Sequence, residues 1–145
     1  MYLAVDMATA ISLESTLPEF TYTPTSTTGN IFPNMLPPSS FEQLVLSIFE
    51  SEEPSDGETY SEPDEYITEG VRLILRGDRT SPLNLYATAK KLYTWLKKKS
   101  NWEKYAEGTR RVFKVHPMGI GYMGEDKNGS PEYVIKFVID LVVTT

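Results

Sequence analysis

The sequence predicts an α+β domain: a mainly antiparallel four-stranded sheet, helices packed on one face, and an extended N-terminal arm. Three observations predict it. Apolar, β-branched runs recur at FEQLVLSIF, VRLILR, TRRVFKVH and EYVIKFVIDLVV, with turn residues between them. Segments 1–17 and 82–99 instead carry apolar residues at helical spacing. Strands that follow one another through turns pair antiparallel, which leaves the helices to gather on one face. At 145 residues the chain is one domain with room for a real core.

Leu3, Met7, Ala10, Ile11 and Leu17 set the N-terminal helix, residues 1–17, and Pro18 stops it. A helix this short depends on tertiary packing. Residues 18–40 are rich in Pro, Thr and Ser and low in charge, as a linker would be. Phe20, Tyr22, Ile31, Phe32, Met35 and Leu36 are costly to leave in water. They favour an extended arm lying on this chain's own sheet or on a neighbouring subunit. The sheet–helix core then spans 41–145. Phe41 to Phe49 reads as a strand with Leu44, Leu46 and Ile48 on one face and Val45 opposite, a short helix being the alternative. Residues 50–70 read as an acidic loop punctuated by Pro54, Gly57 and Pro63. Its length, about twenty residues, exceeds an ordinary connection and marks it as mobile or functional.

The clearest unit runs from Val71 to Lys99. Val71 to Arg76 is a strand, ended by Gly77, which tolerates positive φ, and Asp78, which bonds its own backbone. Ser81 is a good N-cap and Pro82 suits the first helical position. Leu85, Ala89, Leu92 and Leu96 form one apolar stripe flanked by Tyr86 and Tyr93, and Lys97, Lys98 and Lys99 suit the helix C-terminus. Residues 100–108 continue that helix or form a surface turn. Thr109 to His116 is expected as a strand with Val112 and Lys114 on one face and Arg111, Phe113 and Val115 on the other, ended by Pro117. A glycine-rich loop, 117–131, carries Asn128-Gly129, a tight-turn signal. Glu132 to Val143 is expected to be the longest strand and a central one.

The net charge is -6, unevenly spread. Residues 50–70 hold nine acids and no base, while 71–114 hold twelve bases against three acids. Two solvated faces of a monomer would account for this. So would head-to-tail association, one copy's acidic loop meeting the next copy's basic face. The total charge disfavours a general nucleic-acid binder. There is no Cys, which excludes a disulfide framework and thiolate chemistry, and the single His excludes a His-rich metal site. No run suits a membrane span, and the N-terminus lacks the basic region of a signal peptide, so a soluble protein of a reducing cytoplasm is expected.

Several chemistries fail on mechanical grounds. The glycines of GIGYMG (119–124) precede a hairpin turn, whereas a phosphate loop needs a helix N-terminus. His116 reads as a packed or capping residue. The carboxylates of 50–70 lack the burial that general acid–base work requires, and they lack the spacing of an EF-hand. Arg76-Gly77-Asp78 is a strand end and turn. Trp95 and Trp102 flank lysines as a base-stacking platform would, but helix packing for Trp95 and surface cover for Trp102 account for them. No cofactor, metal or catalytic residue is expected.

The segment NIFPNMLPP leading into FEQLVLSIF, then VRLILRG, then LNLYATAKKLYTWL and two closing strands resembles the tail terminator (tail-completion, minor capsid) proteins of long-tailed bacteriophages. Arg76, Gly77, Tyr86, Ala89, Tyr93 and Leu96 carry the likeness, which covers roughly residues 30 to 143. The acidic loop and the long final hairpin loop depart from it. The resemblance implies a structural virion protein without catalytic residues, assembled in the host cytoplasm. It implies a homo-oligomeric, hexameric ring that caps the tail tube, stops its growth and meets the head-side connector. A further expectation is a channel through the ring, lined by the Lys-rich helix end, through which DNA passes without sequence preference. Candidate subunit-interface residues are Glu52, Glu53 and Asp56 against Arg72, Arg76 and Arg79, with Lys97, Lys98 and Lys99 facing the channel or a partner. Another phage neck or tail-tube component is the alternative, followed by a small hydrolase or nucleotide-binding enzyme.

Overall fold

The computed structural model describes residues 3–24, 29–35, 44–50, 64–77, 82–105, 110–126 and 129–144. Helix α1 spans Leu3–Leu13, strand β1 Ile31–Pro33, β2 Val45–Glu50, β3 Asp64–Arg76, helix α2 Pro82–Leu96, β4 Arg110–Glu125 and β5 Pro131–Thr144. Two short 3-10 turns, Lys99–Asn101 and Glu103–Tyr105, follow α2. The sheet has five strands in the order β1-β2-β3-β5-β4. β1 runs parallel to β2 and every other pair is antiparallel, so the sheet is mixed.

The α+β class and the helices on one face hold. The expected four strands become five, because the arm itself supplies β1. Asn30 fastens that arm: its side-chain amide donates to the Glu19 carbonyl at 2.7 Å, and its side-chain oxygen accepts the Thr21 N–H at 2.7 Å. The Leu46 N–H then donates to the Asn30 carbonyl. Leu17, Phe20, Ile31 and Phe32 are buried, so the described part of the arm lies on its own subunit. Asn34 closes β1 at φ 56, where a short polar side chain is tolerated. It exchanges hydrogen bonds with Glu50, whose carboxylate also accepts the Leu3 N–H at the start of α1.

Both expected loops are shorter than the sequence suggested. Asp64 to Gly70 belongs to β3, and Glu50 to β2; residues 51–63 lie outside the described residues. Pro117 to Glu125 is strand, so Pro117 does not end β4, and β4, at 16 residues, is longer than β5. Between the two strands Gly129 stands at φ 81 with its N–H on the Asp126 carbonyl; Asn128 of the expected Asn128-Gly129 turn lies outside the described residues. Gly77 ends β3 for a different reason from the one expected. Positive φ is not what it supplies; a Cβ there would stand 2.7 Å from the Leu85 side chain, which packs against it.

One core cluster joins α1 (Leu3, Met7, Ile11), α2 (Leu85, Ala89, Leu92, Leu96) and one sheet face: Leu46 and Ile48, Val71, Leu73 and Leu75, then Ile135, Phe137, Ile139 and Leu141. Val45 is buried too, so β2 is covered on both faces. Trp102 reverses expectation. It is fully buried beneath the 3-10 turns and its indole N–H donates to the Leu96 carbonyl at 2.9 Å, while Trp95 is half-buried. Among the described residues no helix is long and apolar enough to cross a membrane.

Candidate functional site

β4 forms one edge of the sheet. Its pairing with β5 slips three times, between Val112 and Lys114, Pro117 and Gly119, and Tyr122 and Gly124. The extra residue at each slip is Phe113, Met118 and Met123, five apart in sequence. Each bulge sets two residues of β4 against one of β5. The three are 54%, 62% and 52% exposed. Gly119 and Gly124, at φ 109 and 97, take the left-handed conformation that follows two of them. The first bulge also exchanges the faces expected for β4: Val112 and Val115 sit opposite Leu141 and Ile139 on the core side, and Lys114 and His116 opposite Asp140 and Val138 on the other. Pro117 has no N–H to offer an incoming strand. With three bulges, the edge is a poor template for strand addition and presents side chains instead.

The apolar surface continues around the edge. Tyr122 and Tyr86 are exposed and both pack on Tyr133, with ring centroids at 5.2 and 5.6 Å.

The face away from the helices carries charge. Arg72 stands directly opposite Lys136 in the β3–β5 ladder, an unfavourable like-charge pair, and both are exposed. The Arg72 guanidinium rests over the Phe49 ring, 5.3 Å from its centroid. Arg76 reaches Asp126 of its own chain at 3.6 Å and stands opposite Glu132. Burial holds the Glu132 carboxyl above its ordinary range; Asp126 adds to this and Arg76 opposes it. On the same face the His116 ring meets Asp140 at 2.8 Å, and the Thr68 hydroxyl donates to the other Asp140 oxygen at 3.0 Å. These bonds, His116 foremost, hold the Asp140 carboxyl below the usual carboxylate range. His116 is therefore a mid-strand tie rather than a strand-end cap.

The three lysines expected to act together diverge. Lys97 lies over the Tyr93 ring at 5.4 Å and Lys99 pairs with Glu103 at 3.5 Å. Lys98 borders a groove of about 530 Å³ between α2 and the turn after α1, together with Lys90, Lys91, Trp95, Ala87 and Leu17. Glu52, Glu53, Asp56 and Arg79 lie outside the described residues. Of the candidate interface residues, Arg72 is exposed and Arg76 is engaged within its own subunit. Sequence reasoning missed Phe113, Met118 and Met123, whose five-residue spacing, with a glycine after each methionine, was the available signal. It also missed the second stripe of α2, where Ala87, Lys90, Lys91, Thr94 and Trp95 recur at helical spacing.

Among the described residues no group of three or more His, Cys, Asp or Glu is placed to share a metal ion. No protein-family model and no curated protein matches the sequence.

Proposed function

We propose that this chain is a structural, non-catalytic subunit of a homo-oligomeric ring: a tail terminator that caps the tail tube of a long-tailed phage, stops its growth and joins it to the head-side connector. The observation that carries the assembly role is the row of Phe113, Met118 and Met123 along an edge built to resist strand addition. Large apolar side chains held this far into solvent are costly unless another protein covers them. The resemblance of residues 30 to 143 supplies the kind of assembly. Arg72 is the remaining described candidate for the contact between subunits, and the C-terminal end of α2 is the candidate for the channel or the connector.

Two measurements test this reading. The purified protein should have a solution mass near six subunits, and adding it to growing tail tubes should halt their extension. Tubes that lengthen unchanged in its presence would overturn the terminator role. Association with DNA through the lysines should weaken as salt rises, and binding indifferent to salt would exclude it.

A further inference from the structure

On the sheet face away from the helices, one row across four strands reads Phe49, Arg72, Lys136, Gly119. Arg72 and Lys136 are directly opposite, so their Cβ atoms lie about 4.5–5.5 Å apart and the two cations repel. Both are exposed. Among the described residues neither meets a carboxylate. The next positions on that face are Gly70 and Ile74 on β3, and Val134 and Val138 on β5, all uncharged. The nearest acids along β5, Glu132 and Asp140, stand four residues either side of Lys136, about 13 Å away at 3.3 Å per residue. Asp140 is held by His116 and Thr68, and Glu132 stands opposite Arg76.

A like-charge pair in mid-sheet weakens the fold, and a neutral residue at either position would relieve it. The same pair is well arranged to hold an anion. The Arg72 guanidinium rests over the Phe49 ring, 5.3 Å from its centroid, which restrains it. Lys136 places a movable point charge beside that planar fork. A Cβ at Gly70 or Gly119 would meet nothing within 4 Å, so the surface flanking the pair is open. Two adjacent cations match a group that carries two negative charges. A phosphate group carries about -1.5 to -2 at neutral pH and offers three acceptor oxygens, whereas a carboxylate carries a single charge. We propose that Arg72 and Lys136 form a seat for a phosphate dianion, free or at the end of a small organic molecule, with the guanidinium fork on two oxygens and the ammonium on a third. The seat does not depend on the ring reading, but it claims Arg72, so a subunit contact there is the competing use of the pair.

Titration of the full chain at constant ionic strength tests the seat, with inorganic phosphate, phenyl phosphate and an oligothymidylate as probes. Inorganic phosphate should bind saturably, read as NMR shifts confined to the amides of 70–74, 119–121 and 134–138. Arg72→Gln and Lys136→Met should each weaken that binding by about tenfold or more. Phenyl phosphate binding more tightly than inorganic phosphate assigns the seat to an organic phosphate, and the reverse order assigns it to the free ion; both uphold it. In chloride buffer Lys136→Met should melt above the wild type, because the repulsion is gone. In saturating phosphate the order should reverse, because only the wild type gains from binding. No saturable response, an equal response in both variants, or a Lys136→Met protein that melts below the wild type in chloride overturns the proposal. Oligothymidylate binding more tightly than either phosphate overturns it in favour of a nucleic-acid backbone. Variants that lose solution mass yet keep phosphate binding overturn it in favour of a subunit contact.

Discussion

At the scale of single residues, Asp140 shows how one carboxylate ties three strands. It sits on β5, takes the Thr68 hydroxyl of β3 and meets His116 of β4. Its folded-state pKa is depressed, so its contribution to stability is present above the ordinary carboxylate value and is lost as pH falls through the folded one. His116→Ala removes the largest cause. The variant should begin acid unfolding at higher pH and lose about 0.5–1 kcal/mol near pH 6, the pair being partly screened by solvent. Urea titrations and an acid titration of both proteins check this; superimposable curves would show that the pair does not bind the strands. Gly29 offers a second residue-level test. A Cβ there would stand 2.5 Å from the Thr21 carbonyl oxygen, a backbone atom with little room to give way. Gly29→Ala should cost about 1–3 kcal/mol by overpacking, read as a lower melting temperature.

At the scale of elements, the two tryptophans separate packing from surface. Trp102→Ala should cost about 3–5 kcal/mol, because it empties a fully buried site and strands the Leu96 carbonyl. Trp95→Ala should cost less, about 1–2 kcal/mol, because the half-buried ring packs against the core and its indole N–H donates to the Glu14 carboxylate at 3.2 Å; acrylamide should quench Trp95 more than Trp102. A Trp102 quenched as readily as a free indole would disprove the burial. Helix α2 was readable because its stripe and its proline start act locally. Trp102 was not, since the 3-10 turns that bury it have no periodicity. Nor was β1, three residues whose strand character comes from Asn30 and the neighbouring Leu46 rather than from propensity. Strand β4 was misread for a physical reason. Alternation assumes period two, and a bulge at Phe113 shifts every later side chain to the other face.

At the scale of the whole molecule, exposed apolar surface and unneutralised charge lie in different places. The β4 row, the Arg72–Lys136 pair and the α2 groove use three separate regions of the surface. Replacing Phe113, Met118 and Met123 together by Ser should change monomer stability little, within about 0.5 kcal/mol per site, yet reduce self-association at low salt. Analytical ultracentrifugation beside thermal melts distinguishes the two effects, and an unchanged mass would remove the row from the assembly. The charge asymmetry was legible in composition alone. Its geometry was not, because Arg76 is claimed by Asp126, fifty residues away in sequence, and no local pattern announces that pairing.

The strand order also governs when the subunit can exist. β5 is an interior strand, yet it is made after β1 to β4, and its ladder with β3 joins residues 56 to 80 positions apart. Closing so distant a pair is slow compared with forming the β4–β5 hairpin, so the hairpin should form first and dock onto β3 as a unit. A nascent chain stopped short of residue 131 has β3 paired with β2 alone, and lacks the buried Ile135, Phe137, Ile139 and Leu141 of β5. Synthesis therefore acts as a timer: no copy presents a finished surface to another until residues 131–144 have left the ribosome.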